Sequence, residues 1–216
     1  MEINLLDSLP QRNRDTKERL HTKTPERIAL AKKFGWEYFD MKGVSYDGYI
    51  YDGRWLSVAK RFIEYYRLSS KSRVLDCGCA KGYLLYDFLQ VEPQLKVFGV
   101  DISQYAADCS PPPVKPHIYV GRVPKFLRGV GDKQFDLVIS INTIHNLKEQ
   151  ECREAVREIQ RIGKKAFIMV DAYRNDDEKQ RLSDWVLTAE TVLHVDEWKK
   201  LFEEEGYVGD YFWWIP

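Results

Sequence analysis

Long apolar runs are missing from this 216-residue chain, and nothing in it approaches the roughly 20 consecutive apolar residues that span a bilayer. The first 20 residues, broken by Asp7, Pro10, Arg12, Arg14 and Asp15, lack the apolar stretch and small-residue cleavage site of a signal peptide. An excess of either charge is missing as well: 33 Lys and Arg balance 33 Asp and Glu. Without a positive field the chain has little to offer a phosphate backbone, so nucleic acid is a disfavoured substrate. Cysteine is sparse. Cys77, Cys79, Cys109 and Cys152 show no disulfide spacing, and Cys77 and Cys79 have no partner pair that would complete a zinc site. These absences lead us to expect a cytoplasmic protein with no membrane association and no metal.

The remaining composition suffices for one ordinary hydrophobic core. Residues 1–39 are charged and helix-prone, with Pro25 as a helix start and Ile28, Leu30, Ala31 and Phe34 as a partial apolar face. The segment 44–55 reads VSYDGYIYDGRW: Asp47-Gly48 suits a hairpin turn, and Asp52 suits the cap of a helix over 54–66. We therefore divide the chain into a lid-forming extension, 1–52, and a main domain, 53–216.

From there strands and helices alternate. Strands are predicted at 73–77, 95–100, 117–120, 135–141 and 166–170, with helical segments at 83–89, near Tyr105, near Phe126 and at 149–162. Strands at this spacing need crossover helices, which predicts a doubly wound, mainly parallel α/β sheet covered on both faces. Helices at 176–185 and 195–205, the second stopped by Gly206, and a strand at 211–215 complete the chain.

The segment most informative about chemistry is Val74-Leu75-Asp76-Cys77-Gly78-Cys79-Ala80-Lys81-Gly82, set between a strand and a helix. Its glycines permit close backbone approach to a ligand, and the helix start offers free N–H groups. About 20 residues further on, the strand Val97-Phe98-Gly99-Val100 ends in Asp101, where a carboxylate can accept both hydroxyls of a ribose. The turn is one residue tighter than the G-x-G-x-x-G that wraps a pyrophosphate. Asp76 at the strand end would repel a diphosphate, yet it can accept from an ammonium. The combination points to an adenosine ligand carrying an amino group, and argues against a nicotinamide-dependent oxidoreductase.

Over 54–206 the chain resembles the class I S-adenosylmethionine-dependent methyltransferases, in particular the compact small-molecule group. The resemblance is carried by DCGCAKG at 76–82, GVD at 99–101 and FDLVISINTIHNL at 135–147. It implies a Rossmann-like fold, S-adenosylmethionine as cofactor and S-adenosylhomocysteine as product. It places Gly78, Ala80 and Gly82 along the methionine and ribose, Asp101 on the ribose hydroxyls, Ile102 against the adenine and Asn142 near the methionine end. Relatives read the adenine amino group just after the third strand, where this chain has Gly121-Arg122-Val123. Relatives also end in an antiparallel strand pair, so a shortened sheet with an aromatic edge is expected; its Phe212, Trp213 and Trp214 either cover the last helix, as core packing, or form a homodimer contact.

Several residues are candidates for the rest of the site. His145, just past a strand end, could take a proton from a hydroxyl or amine, or could simply cap its loop. Asp171 is the second candidate base, and Tyr173 ends the same strand. Tyr46, Tyr49, Tyr51 and Arg54 precede the first strand, where a lid over the cofactor would lie. There Arg54 and Tyr51 could meet the cofactor, and Tyr46 and Tyr49 the substrate; the alternative is a hairpin packed on the core. The expectation is transfer of a methyl group to an O or N atom of a small polar metabolite. The alternatives are a tRNA or protein acceptor, or a cofactor-binding pseudoenzyme that acts through a partner.

Overall fold

Seven strands pair in parallel throughout, and their order explains where a ligand must bind. The computed structural model describes residues 1–10, 16–44 and 49–215. Three short helices come first: α1 (Thr16–Thr22), α2 (Pro25–Ala31) and α3 (Trp36–Phe39). Thr24 caps α2 by accepting the Arg27 N–H, and Pro25 occupies the first turn, where its missing donor costs nothing. Then follow α4 (Leu56–Tyr66), β1 (Arg73–Cys77), α5 (Tyr83–Val91), β2 (Lys96–Asp101), α6 (Gln104–Asp108), β3 (Ile118–Val120), α7 (Val123–Arg128) and β4 (Phe135–Ile141). The chain ends with α8 (Glu149–Ile162), β5 (Gly163–Tyr173), α9 (Asp176–Trp185), β6 (Leu193–His194), α10 (Val195–Glu204) and β7 (Asp210–Trp214).

The sheet order is β3-β2-β1-β4-β5, with β6 and β7 both on β5. The order reverses between β1 and β4, so their carboxyl ends diverge into a crevice, the usual ligand site of open α/β sheets. One face of the sheet packs on α7, α8 and α10; Cys152, Ala155, Val156, Ile159 and Ile162 repeat at helical spacing along the buried stripe of α8. The other face packs on α4 and α5, with Phe62 of α4 meeting Phe88 and Phe167 edge to face. A smaller third cluster joins α2 and α3 to Ala80, Tyr105 and Ala106. Among the described residues no helix is long and apolar enough to cross a membrane.

Two details differ from the sequence reading, and one cannot be compared. The N-cap of α4 is Trp55 and not the expected Asp52, whose carboxylate accepts the Arg54 N–H and pairs with its guanidinium instead. The expected hairpin at Asp47-Gly48 lies outside the described residues. The aromatic edge exists, and β7 runs parallel to β5 in the register Phe167↔Asp210 to Asp171↔Trp214. A parallel return follows from the connection, since β5 reaches β7 through α10 and not through a tight turn. The start of the chain then pairs with β7: Ile3 N–H donates to Tyr211 O at 2.9 Å and Tyr211 N–H to Met1 O at 3.0 Å. Leu5 and Leu6 pass into the core, so the first residues of the chain contribute to the main fold.

Candidate active site

The loop after β1 is bent by residues in left-handed conformation: Gly78 at φ 84°, Ala80 at φ 50° and Gly82 at φ 71°. Gly78 has a second reason to lack a side chain, because a Cβ there would overlap Thr143. Ala80 carries strain that glycine would not, of order 1–2 kcal/mol. Its neighbours hold it there: Ala80 N–H donates to Asp101 Oδ2 at 2.8 Å, and Gly78 N–H donates to Val100 O at 2.7 Å. The loop is thus tied to the carboxyl end of β2.

Asp101 is buried, and its Oδ1 accepts Ser103 N–H at 2.8 Å. Each oxygen holds one backbone donor and keeps a second lone pair for a ligand hydroxyl. Ile102 beside it is 44% exposed, an apolar surface facing the cleft. Asp76 lines the cleft from the end of β1; burial, with the Asp101 charge adding to it, pushes its carboxyl up to about 7. Asn142, at φ 50°, presents a buried Oδ1 with no hydrogen-bond partner among the described residues. An orphaned acceptor of this kind is expensive unless a ligand donor meets it.

The cleft has a volume of about 920 Å³. Over the loop lie Phe34, Tyr38, Phe39 and Tyr49, whose hydroxyl bonds to that of Tyr38 at 3.1 Å. This cover is fastened by an ion pair that the sequence did not reveal: Lys81, buried between the glycines, reaches Asp40 Oδ1 and Oδ2 at 2.7 and 2.8 Å, and Tyr105 O–H donates to the same carboxylate. Burial works against the Asp40 charge, but Lys81 and Tyr105 outweigh it and hold the carboxyl below its ordinary range.

At the far end, Asp171 N–H donates to His145 Nδ1 at 3.1 Å, and His145 Nε2 lies 3.4 Å from Asp171 Oδ2. Burial lowers the imidazole pKa to about 3, so the ring is neutral. With Nδ1 accepting, the ring proton sits on Nε2 and faces Asp171. Trp198 Nε1–H donates to Asp171 O at 3.0 Å and fixes the strand end. The His145 carbonyl accepts Glu190 and Thr191 N–H, which seats the loop after α9 against the cleft.

Of the remaining sequence candidates, Arg54 and Tyr49 line the cleft, with Arg54 already forked onto Asp52. Tyr51 does not; its O–H donates to Asp87 Oδ1 at 2.7 Å and its ring packs on Tyr83 and Tyr86. Tyr173 is likewise turned away, against His194 and under the Lys179 ammonium. Tyr46 lies outside the described residues. Gly82 faces Ile118 and Val114, which makes it a packing position in the turn.

Comparison with known proteins agrees with this geometry. Residues 74–166 match the family model described as a methyltransferase domain. This stretch of the chain is thus similar to a methyltransferase domain. Solved structures with the same fold include YcgJ from Bacillus subtilis, at 18% identity and TM-score 0.55 over 68% of this chain and 66% of that one. A SAM-dependent methyltransferase from Archaeoglobus fulgidus is similar at 20% identity and TM-score 0.54 over 69% and 67%. The complex of the Haloferax volcanii Trm112 methyltransferase activator with a methyltransferase matches at 15% and 0.55 over 91% and 77%. The chain thus spans about two thirds of the length of the first two. No curated protein matches it in sequence.

The cleft has residues that fit S-adenosylmethionine. Asp76 and the orphaned Asn142 Oδ1 can accept from an ammonium, Asp101 from a diol, and Ile102 can cover a flat base. Beyond Gly121 the Arg122 guanidinium is paired with Glu151, and the described residues Gly121, Arg122 and Val123 offer no side-chain amide or acid to the adenine.

Proposed function

We propose that this protein transfers the methyl group of S-adenosylmethionine to an oxygen or nitrogen of a small acceptor bearing a polar reacting group. The observation that carries the reading is the cradle of Asp76, Asp101 and Asn142 around the strained loop 78–82, which offers acceptors to an amino group and a diol but nothing suited to a pyrophosphate. When bound, the cofactor supplies a methyl group on a positively charged sulfur, and an in-line acceptor lone pair takes the carbon as the C–S bond breaks toward sulfur.

The chain's own task is to align the acceptor, exclude water and receive its proton. Tyr38, Phe39 and Tyr49 cover the cofactor side. We assign the proton to the Asp171 carboxylate and make His145 its positioning residue, which reverses the order expected from sequence. The reason is geometric: a neutral imidazole whose Nδ1 already accepts Asp171 N–H has no lone pair left for a substrate proton. All four cysteines are free, which supports a reducing cytoplasm as the place of work.

The test is calorimetric titration with S-adenosylmethionine, S-adenosylhomocysteine and NAD, repeated with Asp101→Ala and Gly78→Val. Saturable binding of the two sulfur ligands, lost in both variants and absent for NAD, is expected. Binding of NAD alone, or of none of the three, sinks the reading.

A further inference from the structure

The cleft has two unlike halves. The half under Tyr38 and Phe39 is the polar cradle already described. The other is floored by the sheet itself, and the strand register states what it presents. Ile141 on β4, Met169 on β5 and Phe212 on β7 are partners in one row across the sheet. Two residues further on, Asp171 on β5 is the partner of Trp214 on β7. Parallel partners project to the same face, so a single carboxylate emerges beside an indole above an apolar floor. The walls continue this character: Leu6, Leu9, Trp55 and Trp185 line the same half, and the rings of Trp185 and Trp214 lie 6.0 Å apart at 37°.

Charge narrows the choice further. Arg54, Lys81, Arg122 and Arg174 are the Lys and Arg residues among the described lining. Each is held by a carboxylate, from Asp52, Asp40, Glu151 and Glu178 respectively. Glu2, Asp7, Asp76, Asp101 and Asp171 are the acidic groups of the described lining. An acceptor bearing phosphate or carboxylate would meet the like charge of Asp171, and the described lining cations are already engaged. A polyol would give up water over the Ile141, Met169 and Phe212 floor, which returns no side-chain hydrogen bond.

We propose that the acceptor is a planar aromatic or heteroaromatic ring, without phosphate or carboxylate, that lies against Trp214 and Trp185 and turns its hydroxyl or amine to Asp171. The ring matches the walls in shape and polarity, and its one polar group meets the carboxylate. This rests on the methyltransferase reading, and deepens it by naming the body of the acceptor.

The test uses the full chain saturated with S-adenosylhomocysteine, with catechol, tyramine and 8-hydroxyquinoline as aromatic probes. Glucose, glucose 1-phosphate and glutamate serve as polar and anionic ones. Binding is read by calorimetry and by saturation transfer from protein to ring protons. At least one aromatic probe is expected to bind about tenfold or more tighter than every polar probe. Trp214→Leu should weaken it about tenfold and Trp214→Phe by less than about threefold, with product affinity unchanged in both. A polar or anionic probe binding best, no aromatic probe binding, or an aromatic affinity indifferent to Trp214→Leu overturns the proposal alone. Failure of S-adenosylhomocysteine to bind at all overturns the cofactor reading beneath it.

Discussion

His145 and Asp171 grip each other at two points: the backbone N–H of Asp171 enters the imidazole at Nδ1, and Nε2 turns to the carboxylate at 3.4 Å. Such an imidazole is a strut. Its ring nitrogens should show one unprotonated Nδ1 and one protonated Nε2, unchanged from about pH 4.5 to 8, in nitrogen NMR of the folded protein. With an established acceptor, Asp171→Asn should lower kcat by about 10²–10⁴. His145→Gln should cost about tenfold and leave the pH profile in place. A ring that titrates near 6.5, or a His145→Gln variant as inactive as Asp171→Asn, would return the base to His145.

Gly78 meets two demands at once, a φ of 84° and the absence of a Cβ against Thr143. Gly78→Ala should therefore destabilise the protein by about 2–4 kcal/mol in denaturant titration. Thr143→Gly in the same chain should restore the part due to overlap and leave the backbone strain, about 1–2 kcal/mol. Full additivity of the two substitutions would show that the contact is not what the glycine serves.

What the sequence disclosed, and what it hid, follows from the range of the interactions. The loop 76–82 and Asp101 were legible because a strand, two left-handed glycines and an acid about 20 residues later are local signals. In sequence Asp171 reads as lying just past a strand over 166–170, whereas β5 runs on through it to Tyr173. The role of His145 was not legible, since its Nδ1 partner is 26 residues away and only the β4–β5 pairing brings them together. Lys81–Asp40 is 41 residues apart and reads in sequence as two ordinary surface charges. Tyr51 and Tyr173 had the right composition for a lid and a rim, but side-chain direction is decided by packing, and Asp87 and His194 took them. The aromatic end was visible, while its parallel direction depended on the path of α10.

The Asp40–Lys81 pair fastens the cover over the cofactor loop, with Tyr105 as a second donor. Lys81→Met removes the fastening and leaves a part-buried carboxylate facing Tyr105. The dissociation rate of S-adenosylhomocysteine should rise about tenfold, as read by stopped-flow tryptophan fluorescence. Asp40→Asn, which keeps a hydrogen-bond acceptor, should have a smaller effect in the same direction. Unchanged release in Lys81→Met would mean that product leaves by a path that does not involve this cover.

Two buried groups oppose each other in their effect on stability with pH. His145 has a folded pKa of about 3 against an ordinary 6.5, so between these values the unfolded chain binds the extra proton and stability rises with pH. Asp76 has a folded pKa of about 7 against 3.8, so in nearly the same window the native state binds the extra proton and stability falls with pH. Each slope is at most about 1.4 kcal/mol per pH unit, and between about pH 4 and 6.5 the two offset one another. Asp101, also raised by burial, acts in the sense of Asp76. Removing one member should expose the other: Asp76→Asn should turn the slope toward rising stability with pH across that window, with Asp101 still opposing it, and His145→Gln should make stability fall. Urea titrations at half-unit steps would measure both slopes. Equal slopes in the two variants would show that neither group keeps its native protonation state, and the neutral imidazole on which the assignment of Asp171 depends would have to be given up.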